Sequence, residues 1–98
     1  MNNEHNYKIK DYTYRKAKHI GLDVYPSSRK NYKIDIYHHG SGEYICSVGD
    51  KRYSDYPTYI ETKGIEYANK RRDLYKIRHH KEANKVGTRG WFAYHLLW

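Results

Sequence analysis

The residues of this chain that carry the most evident chemistry are cations. Arg71, Arg72, Arg78, Lys81, Lys85 and Arg89 crowd its last third, and Arg29 and Lys30 form a second group near its first third. Guanidinium and ammonium groups neutralise phosphates and release the counterions condensed on a polyanion. About four such contacts to duplex DNA give a salt slope near −3.6. Arg71 and Arg78 are seven residues apart, so on a helix they project from the same side. These eight residues are the candidate nucleic-acid-binding set.

The distribution of charge supports that reading. The chain of 98 residues has a formal net charge of +8. Residues 7–33 hold eight Lys/Arg against two acids, residues 34–64 hold three against five, and residues 65–98 hold eight against three. Two basic blocks around a mildly acidic middle are how a basic face arises, and such a face attracts polyanions. Thirteen tyrosines and two tryptophans interleave with the cations. Their rings stack on bases or pack against sugars.

Other chemistries find less support. The seven histidines include the adjacent pairs His38-His39 and His79-His80. Neighbours in a strand point to opposite faces, and neighbours on a helix splay apart, so neither pair chelates one ion well. Cys46 is the single cysteine, which rules out an internal disulfide and a cysteine zinc cage. No metal or other cofactor is expected. A nuclease could use His79 or His80 with Glu82 and Asn84, but nothing nearby supplies the metal-holding residue such a site needs. Gly87-Thr88-Arg89-Gly90 lacks the preceding strand and the following Lys-Ser/Thr of a phosphate-binding P-loop, so it reads as a helix stop and turn. The chain is read as a non-enzyme.

These residues need a scaffold. Ninety-eight residues make one small domain with a thin core, since only 8 Ile, 4 Leu and 3 Val are present. Tyrosine must supply much of the packing. Residues 1–11 read as a flexible N-terminal arm and residues 12–98 as the single domain. Residues 12–20 suit two helical turns ended by Gly21. Pro26-Ser27-Ser28-Arg29-Lys30 is a turn, read equally as a plain connection and as a phosphate contact. Residues 32–38 alternate, with Tyr32, Ile34 and Ile36 opposite Lys33, Asp35 and Tyr37, which predicts a half-buried strand. A glycine loop at His39-Gly40-Ser41-Gly42 returns the chain through residues 44–48, with Tyr44, Cys46 and Val48 on one side and Ile45 and Ser47 on the other. A strand at residues 22–25 could join this hairpin.

Asp55 caps a short helix that opens with Tyr56 and Pro57 and sets Tyr53, Tyr56, Tyr59 and Ile60 on one side. A long basic helix follows over residues 65–84. Its apolar residues form two narrow strips, Tyr67/Leu74/Ile77 and Ala68/Tyr75, so it either wedges between elements or leaves one strip for a partner. Residues 91–97 form a short helix or extended tail that locks the core. The expected fold is a small α+β domain: a β-hairpin or three-stranded antiparallel sheet, packed by one long basic helix and a C-terminal aromatic segment. No apolar run is long enough to span a membrane, and the polar residues 1–6 lack the apolar core of a secretion signal.

The order Pro26-Ser27-Ser28-Arg29-Lys30, strand, Gly49-Asp50, Tyr53-x-Asp55-Tyr56, Arg71-Arg72-x-Leu74-Tyr75-x-Ile77-Arg78-His79, Lys85-x-Gly87-x-x-Gly90-Trp91 and Leu96-Leu97-Trp98 resembles small basic uncharacterised proteins of large eukaryotic DNA viruses. The resemblance covers about residues 17–98. It implies a viral factory or virion, in the cytoplasm or nucleus of an infected cell, and puts DNA ahead of RNA as the partner. It supplies no activity. It favours genome organisation or packaging. A structural or interaction protein of a virion, meeting acidic virion proteins, is the alternative.

Overall fold

The computed structural model describes residues 7–98. Over the described residues the fold is α+β, with three antiparallel strands and four α-helices. The chain forms two compact units, one ending at Arg52 and one running from Tyr53 to Trp98. Residues 1–6 of the expected arm lie outside the described residues, and Ile9 in its remainder is buried.

The first unit opens with α1 (Asp11–His19). Asp11 in its first turn and Lys16, Lys18 and His19 in its last complement the helix dipole. Thr13 and Ala17, one turn apart, are its buried stripe. Gly21, at φ 74°, turns the chain out of the helix and into β1 (Leu22–Pro26). β2 (Tyr32–His38) and β3 (Tyr44–Asp50) follow, and the sheet has the meander order β1-β2-β3. Leu22, Val24, Ile34, Ile36 and Val48 supply its buried apolar residues.

Two expectations about the sheet need correcting. β2 is buried from Lys33 through Asp35 as well as at its isoleucines, at 4% and 8% exposure, so it is not a half-buried strand. The polar residues are tolerated because each is satisfied. The ammonium of Lys33 lies 5.1 Å from the centre of the Tyr7 ring. Asp35 Oδ1 accepts hydrogen bonds from Ser27 Oγ (2.6 Å) and Ser47 Oγ (2.5 Å). The second correction is in β3. Ile36 pairs with Cys46 but Tyr37 pairs with Tyr44, so a bulge at Ile45 breaks the alternation. Tyr44 therefore shares the face of Tyr37, Asp35 and Ser47 rather than that of Cys46 and Val48.

The second unit is helical. α2 (Tyr56–Lys63) is capped by the buried carboxylate of Asp55, which accepts from the Thr58 N–H at 3.0 Å, with Pro57 in the first turn. Tyr53 lies before the helix and is exposed, so it does not join the ring row of Tyr56 and Tyr59. Gly64, at φ 90°, joins α2 directly to α3 (Ile65–Arg78), and the two helices pack together. Only Ala68 of α3 is fully buried.

The long helix stops at Arg78 rather than residue 84. At His79 the backbone leaves helical geometry, and a 3₁₀ segment (His80–Asn84) follows. Side chains compete for the backbone here: His80 Nδ1 lies 3.1 Å from the Ile77 carbonyl oxygen, and His95 Nε2 lies 3.2 Å from that of Ala83. Thr88 then caps α4 (Arg89–Leu97), its hydroxyl accepting from the Trp91 N–H at 3.2 Å. Phe92, Leu96 and Leu97 of α4 are buried. Trp98 stacks on Tyr75 of α3 at 4.3 Å and 6°, and its ring lies 6.2 Å from that of Tyr59 of α2. The aromatic end locks three helices of this unit.

Candidate nucleic-acid interface

The six candidate cations of the second unit fall into two sets. Arg71 and Arg72 lie on the inner side of α3 and are half-buried. The Arg72 guanidinium sits 4.1 Å above the Tyr56 ring and that of Arg71 lies 5.7 Å from the Tyr59 ring. Tyr56 is held in turn by its hydroxyl, which donates to Asn69 Oδ1 at 2.8 Å. Arg71 Nε is buried without a hydrogen-bond partner. A guanidinium lying on a ring keeps its in-plane N–H donors, so stacking orients these groups without consuming their hydrogen bonds.

The other set is exposed. Arg78 ends α3, Lys81 and Lys85 lie in and just after the 3₁₀ segment, and Arg89 opens α4. One carboxylate, Glu82, interrupts them in sequence. Its Oε1 lies 3.1 Å from His79 Nδ1, and this hydrogen bond holds its pKa below the usual range, with Lys85 adding to the effect. Gly90 makes room for this carboxylate, since a Cβ there would run into the Glu82 side chain. Gly87 differs, having open space around it but a φ of 87°. The Gly-x-x-Gly spacing thus combines a backbone requirement with a steric one.

In the first unit Arg29 and Lys30 occupy the exposed turn after β1. The Ser27 hydroxyl, a candidate phosphate donor in the sequence, is committed inside the fold: it donates to Asp35 and accepts from the Arg29 N–H at 3.0 Å. Arg29 Nη1 reaches the Tyr44 hydroxyl at 3.4 Å, and its guanidinium lies 5.1 Å from the Tyr32 ring centre. Because Ser47 donates to Asp35, Tyr44 must donate to Ser47, at 2.7 Å. A directed chain therefore runs from Arg29 through Tyr44 and Ser47 to the buried carboxylate.

Sequence reasoning missed this arrangement. Tyr25, Tyr37 and Tyr44 come one from each strand and stand together, with centroids 5.5 and 5.4 Å apart. The signal is the cross-strand register, and the bulge at Ile45 hides it from a simple alternation. Among the described residues no group of three or more His, Cys, Asp or Glu comes together to hold a metal ion. Nor, among the described residues, is any helix long and apolar enough to cross a membrane. No family model matches the chain, and no curated protein or solved structure is significantly similar to it.

Proposed function

We propose that this protein binds nucleic acid, DNA ahead of RNA, without catalysing a reaction on it. One observation carries the reading. Arg78, Lys81, Lys85 and Arg89 are all exposed over a short stretch, and the one carboxylate among them is held by His79. Cations at that density attract a phosphate backbone and position it without reading sequence. Arg71 and Arg72, oriented on tyrosine rings, extend the contact along α3. Arg29 and Lys30 give the first unit a phosphate contact of its own. The resemblance to small proteins of large DNA viruses supports genome organisation or packaging, in a viral factory or virion.

Electrophoretic shifts with duplex DNA across a salt series test the proposal. Binding should weaken steeply with salt, with a slope of about −3.6 for four phosphate contacts. Lys81→Glu with Lys85→Glu should flatten the slope and weaken binding at least tenfold. Salt-independent binding, or none at about 50 mM salt, overturns the proposal.

A second reading has its own observation. Leu74 and Ile77 are 51% and 72% exposed on α3, and Tyr67 of the same strip is also exposed. Lys70, Arg78 and Lys81 flank this strip in the sequence. An acidic amphipathic segment of a virion protein would complement both its apolar centre and its basic margin. Charge reversal at Arg71 and Arg72 separates the readings: it weakens nucleic-acid binding under the first and leaves it unaffected under the second.

A further inference from the structure

The tyrosine row of the sheet has a geometry that the basic helix does not use. Tyr25 and Tyr44 are 55% and 44% exposed. Tyr37 stands between them, edge-on to both, at 78° to Tyr25 and 65° to Tyr44. The three rings are held in a row by the sheet register, which sets Tyr37 opposite Tyr44 and Tyr25 opposite Asp35. Tyr44 is further anchored through its hydroxyl, which donates to Ser47 while Arg29 reaches it from outside. Asp35 lies buried and satisfied in the same layer, so its charge is not offered to a ligand.

The face also has a polarity. Arg29 and the exposed Lys30 mark the end where β1 turns into β2. Asp23 pairs with Tyr37 toward the other end and is hydrogen-bonded to His39 at 3.0 Å. An anion is therefore favoured at the Arg29 end and disfavoured beside Asp23. Flat rings next to cations at one end match a nucleotide, with its base on a ring and its phosphate on a guanidinium. In a duplex the base faces are covered by their neighbours. A single strand can present them.

We infer that this sheet face is a single-strand site: bases of unpaired nucleic acid stack on Tyr25 and Tyr44, and the adjoining phosphates meet Arg29 and Lys30. The inference rests on the nucleic-acid reading above but names a different surface and a different substrate class. It gives the protein two modes, phosphate-backbone binding by the second unit and base stacking by the first.

Fluorescence anisotropy with labelled oligo-dT, oligo-rU and a duplex of equal length tests it on the full chain. Tyr25→Ala and Tyr44→Ala should each weaken single-strand binding roughly tenfold, as expected for loss of one stacked base, and leave duplex binding within about twofold. Tyr25→Phe, which keeps the ring, should retain binding, and Tyr25 is the deciding position because Tyr44→Ala also removes a hydroxyl from the Asp35 chain. Binding of either oligo-dT or oligo-rU supports the site, and the preference between them identifies DNA or RNA as the source. Wild-type single-strand affinity in a folded Tyr25→Ala variant overturns the inference. If Lys81→Glu with Lys85→Glu then still weakens duplex binding, the basic-helix reading stands without it. Absence of binding to any of the three probes removes both.

Discussion

At the level of single residues, the chain satisfies polar groups inside a core poor in aliphatics. Asp35 shows the logic. A carboxylate in the middle of a three-stranded sheet would be costly alone, but two buried serine hydroxyls donate to it, one from the β1–β2 turn and one from β3. Tyr75 shows the same economy with a ring. It stacks on Trp98 and on His79, both at 4.3 Å, and burial pushes its phenol up to about 12 from an ordinary 10.0. A phenol harder to ionise in the folded than in the unfolded chain contributes stability that is whole below the unfolded value. That contribution is lost as the pH rises toward and through about 12. Stability should therefore decline above pH ~10. Ultraviolet titration of the phenolates should show one late-ionising tyrosine that disappears in Tyr75→Phe. If that late step is unchanged in Tyr75→Phe, the assignment is wrong.

At the level of elements, local signals were readable and tertiary ones were not. Asp55 followed by Tyr56-Pro57 announces the start of α2, and Gly21 announces the end of α1, because capping and positive φ are properties of a few adjacent residues. The sheet was legible as a hairpin with a third strand at its side. The bulge at Ile45 was not, because one extra residue leaves composition unchanged and shifts only the partner. The buried Lys33 and Asp35 were invisible for a related reason: their partners, Tyr7, Ser27 and Ser47, are distant in sequence. The end of α3 was hidden by good helix formers after His80. The six candidate cations of the second unit, and the two of the first, are chosen from sequence by their density alone. Their division into stacked and exposed sets could not be read there.

The Gly87/Gly90 pair makes the element-scale prediction. Gly90→Ala has no backbone reason to fail, since the residue is helical, but its new methyl meets Glu82. Glu82 must move, and the His79–Glu82 hydrogen bond goes with it. A loss of about 1–3 kcal/mol is expected by thermal unfolding, as for overpacking generally. Glu82→Ala should relieve much of that loss in the double variant, and strictly additive effects would show that the clash is not the cause.

At the scale of the molecule, the two units divide the chemistry between them. The first is a sheet with a buried polar chain and an exposed ring row. The second is a helical assembly whose cations are partly oriented by tyrosines. The aromatic end packs within the second, with Trp98 against Tyr75 and Tyr59. Trp98→Ala should therefore destabilise that unit by about 3 kcal/mol, lowering its melting temperature, through loss of the Tyr75 stack and its buried area. Arg72→Ala should leave the fold intact, costing about 0.5–1 kcal/mol for its ring contact, and under the proposed function it should weaken DNA binding. A Trp98→Ala chain as stable as the wild type would show that the aromatic end does not lock this unit.

Both tryptophans, Trp91 and Trp98, fall in the second unit. The chain thus carries a spectroscopic label on one half and none on the other. Emission excited at the red edge, where tyrosine is silent, follows the helical unit alone, whereas the far-ultraviolet dichroism follows both. Denaturation curves from the two signals coincide only if the whole chain melts in one transition. The unmodified protein can therefore report whether its halves share a single cooperative fate.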